Sequence, residues 1–156
     1  MNITKIILIA LLVISSCQSN LNKVEADNNI EKITWTSNDE FPSIELCNEL
    51  SESRLVNDCF KNFLSSEILK NLNLSKITIE KPLNDTVNIE LLIDNKGKIS
   101  ISDKVIPENI IQMISNFEIF LDNAIDSLPI VLPATKTTLG VSVNSKFKLP
   151  IILKSK

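Results

Sequence analysis

The strongest constraint on the fold is an alternation of apolar and polar residues that begins at Val87. From there to Ile93 every second residue is Val, Ile or Leu, so these side chains share one face of an extended strand. The segment Asp94–Gly97 then supplies turn residues, including a glycine that tolerates a positive φ angle. Apolar residues return with the same spacing at Ile99 and Ile101. The pattern therefore predicts a β-hairpin with one buried face.

Two helical patterns flank this hairpin. Between Glu52 and Leu72 the apolar residues recur at steps of three and four, which predicts an amphipathic helix. We expect Ser51 or Ser53 to cap its N terminus. A second apolar stripe runs from Pro107 to Leu128 and predicts one continuous helix that begins at the proline and ends before two further prolines.

The last predicted element runs from Val141 to Leu153, where the odd-numbered positions are mostly apolar. Pro150 has no backbone N–H, so this strand is expected at a sheet edge or at a bulge. Ile77 and Ile79 suggest a short additional strand before the hairpin. The order helix, hairpin, helix, strand predicts an α+β fold in which the helices cover one face of a small antiparallel sheet.

The N terminus reads as an export signal. One lysine, Lys5, precedes the unbroken apolar run Ile6–Ile14, and small residues follow. This run is shorter than the roughly 20 residues that a membrane-spanning helix needs. Ile14–Cys17 resembles a bacterial lipobox, which implies cleavage before Cys17 and acylation of its thiol. We therefore expect a lipid-anchored protein of the bacterial cell envelope, on the periplasmic or surface face of the outer membrane; an ordinary cleaved signal is the alternative.

The chain accordingly divides into three predicted parts: residues 1–16 as the signal peptide, 17–40 as a lipidated flexible tether, and 41–156 as the folded domain. The segment from Gln18 to Asp39 is polar and rich in asparagine, as tethers are. Ile33, Trp35 and Phe41 are the exceptions, and they are expected either to form a short strand or to dock on the domain.

Two cysteines, Cys47 and Cys59, lie twelve positions apart in the predicted domain. An even pair in an exported protein predicts a structural disulfide. Closing so short a loop contributes roughly 2–3 kcal/mol in the loop-entropy description. A redox or metal-binding pair is the alternative, but the spacing is not Cys-x-x-Cys and no other soft ligand is near.

The composition argues against several kinds of chemistry. The chain contains no histidine and no tyrosine, which excludes Ser-His-Asp and Cys-His catalysis and the usual histidine zinc sites. Only two glycines are present, too few for a phosphate-binding loop, and a net charge of −3 gives no footprint for nucleic acid. Asp85, Glu90 and Asp94 are expected to serve turns and solvation rather than calcium. We expect no catalytic residues, no metal and no cofactor.

Four ordered pieces of the chain suggest a family. They are Phe41-Pro42 with Cys47 and Cys59; Val87–Asp94 with Gly97–Ile99; Leu121-Asp122 with Ala124, Leu128-Pro129 and Pro133-Ala134; and Gly140-Val141 with Phe147–Ile151. Together they resemble the C-terminal domain of TonB-like proteins, in particular the divergent forms of flavobacteria and their relatives. Two departures are clear: the family's frequent Tyr-Pro pair is missing, and the chain has neither the inner-membrane helix nor the long proline-rich span of TonB. We therefore expect no coupling to an inner-membrane motor.

The resemblance implies a binding module whose last strand pairs with an extended segment of an outer-membrane receptor or another envelope protein. Ser142, Asn144 and Lys146 are expected to face away from the core. Lys146 and Lys148 on an edge strand, with a proline nearby, are also a means of preventing unwanted pairing, which is the alternative interpretation of this edge. The second hypothesis is an accessory or structural envelope lipoprotein that uses the fold for assembly or dimerisation, and the third is an enzyme. The predicted binding edge comprises Val141, Ser142, Val143, Asn144, Ser145, Lys146, Phe147 and Lys148.

Overall fold

The predicted hairpin forms the centre of the main sheet. A computed structural model describes residues 33–74 and 82–154, and in it β1 (Asn84–Ile93) pairs antiparallel with β2 (Ile99–Val105). Gly97 in the connecting turn has a φ angle of +82°, and a Cβ added there would overlap the carbonyl oxygen of Val131. The turn therefore needs glycine both for its backbone conformation and for space.

A third strand completes this sheet on the other side of β1. β5 (Ser145–Lys154) pairs antiparallel with β1 along its whole length, from Asn84 opposite Lys154 to Ile93 opposite Ser145. The strand order is β2-β1-β5, which leaves β5 at one edge. The edge position anticipated from Pro150 is confirmed, since proline in a strand is tolerated where its missing donor faces outward.

The first helix forms close to its predicted range, as α1 (Ser53–Leu72). The residue before it is Glu52, and no side chain caps the N terminus, so the predicted serine cap is wrong. Asn73 ends the helix in the left-handed conformation, with φ 48°. Spacing of three and four residues puts one stripe in the core, namely Phe60, Leu64, Ile68 and Leu72.

The second predicted helix is wrong as a continuous element. It is divided into α2 (Glu108–Met113) and α3 (Phe117–Asp126), with Asn116 between them at φ 60°. Ile114 and Phe117, on either side of the break, are both about 1% exposed. The break turns the chain so that both side chains enter the core, and asparagine tolerates the left-handed conformation that this requires.

The last predicted element is also divided. β4 (Val141–Val143) pairs with β3 (Ala134–Lys136) in a separate two-stranded sheet, and only from Ser145 does the chain join the main sheet as β5. The segment before a short 3₁₀ helix (Glu45–Glu49) lies along the other side of β3, through isolated bridges from Glu40 and Ser43. This second sheet was not predicted.

The hydrophobic core lies between one face of the main sheet and the helices α1 and α3. The odd-numbered residues of β1 and β5 supply the sheet side of this core, as the alternation predicted. The even-numbered residues face solvent on the uncovered side of the sheet. The α+β class with a small antiparallel sheet is therefore confirmed.

The disulfide between Cys47 and Cys59 is confirmed. Its Cα atoms lie 5.8 Å apart, and it joins the 3₁₀ helix to the first half of α1. Cys47 is fully buried. The cross-link therefore holds the segment before α1 against the core.

Four sequence predictions lie wholly or mostly outside the described residues: the signal peptide, the acylation site Cys17, the flexible tether as far as Lys32, and the short strand at Ile77 and Ile79. The compact unit begins at Ile33, before the predicted domain boundary at Phe41. In the part of the chain that the structure describes, no helix has the length and apolar character needed to cross a membrane.

Candidate functional site

The predicted binding edge is spread over two sheets. Val141–Val143 forms β4 and is already paired with β3 on one side, whereas Ser145–Lys148 opens β5. Asn144 joins the two strands. The side chains of Ser142, Asn144 and Lys146 are exposed, and those of Val143 and Ser145 are buried. Among the described residues no strand pairs with the outer edge of β5, and this free edge runs from Ser145 through Lys154, beyond the predicted range.

The joint at Asn144 is held against the β1–β2 turn. Its side-chain oxygen accepts a hydrogen bond from the backbone N–H of Asn95 at 2.9 Å. On the other side of the same turn, the carbonyl of Gly97 accepts from the N–H of Val131 at 3.0 Å. The start of β5 is thus held in place by the contact between Asn144 and the hairpin turn.

Backbone geometry decides which residues of β5 present free hydrogen-bonding groups. Residues of an antiparallel strand bond alternately to its two neighbours. The N–H of Asp94, at the end of β1, donates to the carbonyl of Lys98 at 3.0 Å, so even-numbered residues of β1 bond toward β2 and odd-numbered ones toward β5. Residues of β1 and β5 that lie opposite each other share parity, as Leu92 and Lys146 do. The even-numbered residues of β5 therefore direct their backbone groups to the free edge.

Pro150 agrees with this assignment. It lies opposite Asn88 and is even-numbered, so its missing N–H costs the sheet no hydrogen bond. At the free edge it leaves a gap in the row of donors. The outward N–H groups of Lys146 and Lys148 lie on one side of that gap, and those of Ile152 and Lys154 on the other.

The edge is bordered by an open groove along α1. Two cavities, of about 510 and 660 Å³, lie between this helix and the second half of β5, and Leu69 and Ile152 line both. The Ile152 side chain is 54% exposed. The groove gives an incoming chain a surface to rest on beside the backbone groups of the edge.

Lysines dominate the exposed face of β5. Lys146 donates to Ser102 Oγ at 2.6 Å and lies 3.7 Å from Glu90 Oε2, so it reaches back across the sheet. Lys148 lies directly opposite Glu90 in the register of the two strands. Neither Lys148 nor Lys154 makes an ion pair with any described residue.

A second polar feature fixes the end of the predicted tether. Asp39, only 8% exposed, accepts hydrogen bonds from Lys136 Nζ at 2.9 Å, from the hydroxyl and N–H of Thr36 at 2.8 Å, and from the N–H of Thr137 at 3.3 Å. These donors, Lys136 foremost, hold the pKa of Asp39 far below its usual value. Lys136 Nζ also donates to the carbonyl of Thr34 at 3.2 Å.

This cluster, the Asp39–Lys136 clamp, was missed by sequence reasoning. Threonine three residues before an aspartate was a local signal for it, since such side chains close turns. The cation, however, comes from β3, far along the chain. Trp35 and Phe41 pack edge-to-face beside the clamp at 5.0 Å between ring centres, and this contact agrees with the docking alternative considered for them.

Asp85, Glu90 and Asp94, considered above as possible calcium ligands, each interact with different neighbours. A hydrogen bond from Asn109 at 2.6 Å and one from the N–H of Thr86 lower the pKa of Asp85. Turn N–H groups, that of Lys98 first, lower the pKa of Asp94. Within residues 33–74 and 82–154, no group of three or more potential metal ligands comes together.

Comparison with known proteins returns no match: no protein-family model, no curated protein and no solved structure matches this chain. Its function is therefore inferred from the edge of β5, the groove along α1 and the N-terminal signal in the sequence.

Proposed function

We propose that this protein is a lipid-anchored binding module of the bacterial cell envelope. Acyl chains on Cys17 hold it at the membrane, and the folded part captures an extended segment of an envelope or outer-membrane transport protein. The capture occurs by addition of that segment as a fourth strand to the free edge of β5. The proposal assigns no catalytic step and no cofactor.

The observation that carries the proposal is the uncovered edge of a ten-residue strand. An edge strand presents unpaired N–H and C=O groups, and an extended peptide satisfies them by pairing. The outward groups of Lys146 and Lys148 provide a first stretch for pairing, and those of Ile152 and Lys154 a second. Backbone hydrogen bonds supply affinity in this mode, whereas neighbouring pockets supply selectivity.

The TonB-like relationship is part of this proposal. The described order of helix, hairpin, helical segment and edge strand supports it at the level of the α+β class. The divided second helix and the small β3–β4 sheet are additions to the expected pattern. We propose that this chain is related only to the C-terminal binding domain of TonB-like proteins and does not take part in the energy coupling of TonB.

Site-specific photo-crosslinking in the native envelope tests this proposal. A photoreactive amino acid replaces Lys148 of the full-length chain, and a matched control replaces Lys98, an exposed lysine just before the opposite edge strand β2. We expect the Lys148 position to crosslink to one segment of an envelope protein, identified by mass spectrometry, and the Lys98 position to give no such product.

Other outcomes of this experiment distinguish partner capture from the alternative roles. Crosslinks between two copies of the chain favour the accessory, self-assembling role. Equal labelling from both positions, or no product from Lys148, contradicts recognition at the β5 edge.

A further inference from the structure

We infer that the segment captured at β5 is acidic, with carboxylates opposite Lys148 and Lys154, the two lysines of this strand that form no ion pair with a described residue. This inference rests on the strand addition proposed above and adds the chemistry of the partner. It follows from the distribution of charge along the edge, from the groove beside it, and from the poorer match of a second copy of the chain.

Positive charge is concentrated on the strand that faces the incoming chain. β5 contains three lysines and no acidic residue, and all three lysines project from its exposed face. The acids on this face lie further in, where Glu90 of β1 sits opposite Asp103 of β2. Glu90 forms its ion pair with Lys146, at 3.7 Å, and neither Lys148, which lies opposite Glu90 in the register, nor Lys154 forms an ion pair with a described residue.

Backbone parity places these lysines next to a partner strand. The residues of β5 that direct hydrogen bonds outward are the same even-numbered residues that carry the lysines. A residue of the added strand that pairs with Lys148 therefore projects its side chain beside the lysine, on the same face. Opposite charges in such cross-strand positions attract and like charges repel.

The groove along α1 has the same sign of charge. Lys61, Lys70 and Lys154 line its two cavities. Asp58, which lines one cavity, pairs with Arg54 at 4.0 Å, and Glu67 pairs with Lys70 at 3.1 Å, so Lys61 and Lys154 provide the excess positive charge. Side chains of the partner that point toward this helix meet the apolar surface of Leu69.

A second copy of the chain matches this edge less well than an acidic strand does. Two-fold pairing of β5 with itself, centred on Pro150, places Lys146 of one copy opposite Lys154 of the other, twice, and puts two prolines at the centre, where donors are missing. Because β5 contains no acidic residue, no register of self-pairing offers a carboxylate to these lysines, whereas an acidic strand does.

Synthetic peptides test the inference with the full-length chain in detergent. Three ten-residue probes alternate threonine with glutamate, glutamine or lysine, and binding is measured by fluorescence anisotropy. We expect the glutamate probe to bind about tenfold more tightly than the glutamine probe. The preference should shrink in higher salt, because exposed charge pairs are screened.

Hydrogen exchange during the same titration locates the site. Protection of the β5 amides by the glutamate probe is the expected result. If the glutamine probe protects β5 equally well at equal affinity, strand addition stands and the acidic partner is wrong. If no probe protects β5, both the inference and the proposed function are contradicted.

A charge reversal supplies the matched control. Lys148→Glu and Lys98→Glu change the net charge equally, but only Lys148 lies on β5. We expect Lys148→Glu to weaken the glutamate probe about tenfold and to strengthen the lysine probe, whereas Lys98→Glu leaves both unchanged. Equal effects of the two variants would overturn the inference. Lys148→Gln, which adds no new charge, tests the loss of attraction alone.

Discussion

Single residues determine where several turns and element boundaries of this fold lie. Gly97 allows the β1–β2 turn to approach the chain at Val131, and Asn116 separates α2 from α3. Asn144 ties the start of β5 to the turn through Asn95. Ser145 follows it and is 2% exposed, and its hydroxyl has no hydrogen-bond partner among the described residues.

Replacing Ser145 by alanine is expected to stabilise the protein by about 1 kcal/mol. An unpaired buried hydroxyl has lost its water without compensation, and the substitution removes that cost. Urea unfolding followed by circular dichroism measures the change. The exposed Ser142→Ala serves as the control and should leave the unfolding free energy within about 0.5 kcal/mol. A less stable Ser145→Ala variant would show that the hydroxyl has a partner.

Two glycines with positive φ provide a matched pair. Gly140→Ala meets nothing within 4 Å, so it should cost only the conformational penalty of about 1 kcal/mol. Gly97→Ala adds a clash with a backbone carbonyl, and we expect it to cost at least twice as much. Equal midpoints in urea would show that the turn moves away from Val131 without strain.

At the scale of elements, the described structure is fixed by cross-links between segments distant in the chain. The disulfide joins the 3₁₀ helix to α1, and Lys104 of β2 contacts Asp122 of α3 at 2.8 Å. The Asp39–Lys136 clamp holds the segment before the 3₁₀ helix on β3. Each link attaches a short element that has little stability alone.

Removing the disulfide with the double variant Cys47→Ala/Cys59→Ala is expected to lower the unfolding free energy by roughly 2–3 kcal/mol. The lost term is the entropy of a closed loop in the unfolded chain. Thermal unfolding of the oxidised protein, the reduced protein and the variant makes the comparison. Identical unfolding with and without reductant, with free thiols verified, would rule out a stabilising role.

The clamp predicts a dependence of stability on pH. The folded pKa of Asp39 is depressed below the ordinary value of 3.8, so its contribution is fully present above that pH and is lost as the pH falls toward the folded pKa. Asp39→Asn should therefore be less stable than the wild type at neutral pH, and the difference should narrow below about pH 3.8.

Lys136→Met tests the cause of this shift. Lys136 is the largest contributor, so its loss should raise the pKa of Asp39 toward the ordinary value. Carbon-detected NMR titration of the carboxylate measures this directly. A pKa unchanged by the substitution would show that the Thr36 donors hold the carboxylate without the cation.

At the scale of the whole molecule, the proposed function joins a membrane anchor to a recognition edge. The anchor is a prediction from the sequence up to Cys17, and the edge is a property of the folded unit that begins at Ile33. A single acyl chain binds membranes only marginally, whereas two or more chains anchor a protein there stably. Because they rest on different parts of the chain, the envelope location and the strand addition can be tested separately.

Cys17→Ser is expected to move the protein from the membrane fraction to the soluble fraction. Each buried CH₂ of an acyl chain contributes about 0.8 kcal/mol, so loss of the lipid removes the anchor. Detergent phase partitioning and intact-mass measurement of the mature chain give the two readouts. A wild-type chain that carries no lipid mass would contradict acylation at Cys17. The intact mass of the variant shows whether an uncleaved signal peptide retains it in the detergent phase.

Local pattern was sufficient for the elements whose side chains repeat with a regular period. The alternation from Val87 to Ile93, the stripe of α1, the edge position of Pro150 and the Cys47–Cys59 pairing were all predicted from the sequence. In each case the determining interactions lie within the element, or follow from one residue's covalent chemistry. The period of the apolar residues shows which face of an element is buried, and this prediction does not require the tertiary structure.

Tertiary structure alone decided the rest. The break at Asn116, the division of the last element at Asn144 and the docking of the segment at Asp39 each depend on a partner far away in the sequence. The free edge of the main sheet begins at Ser145 rather than at Val141 for the same reason, because it is set by the pairing of β5 with β1. Apolar spacing records that a side chain is buried, but only packing determines where the chain must turn to bury it.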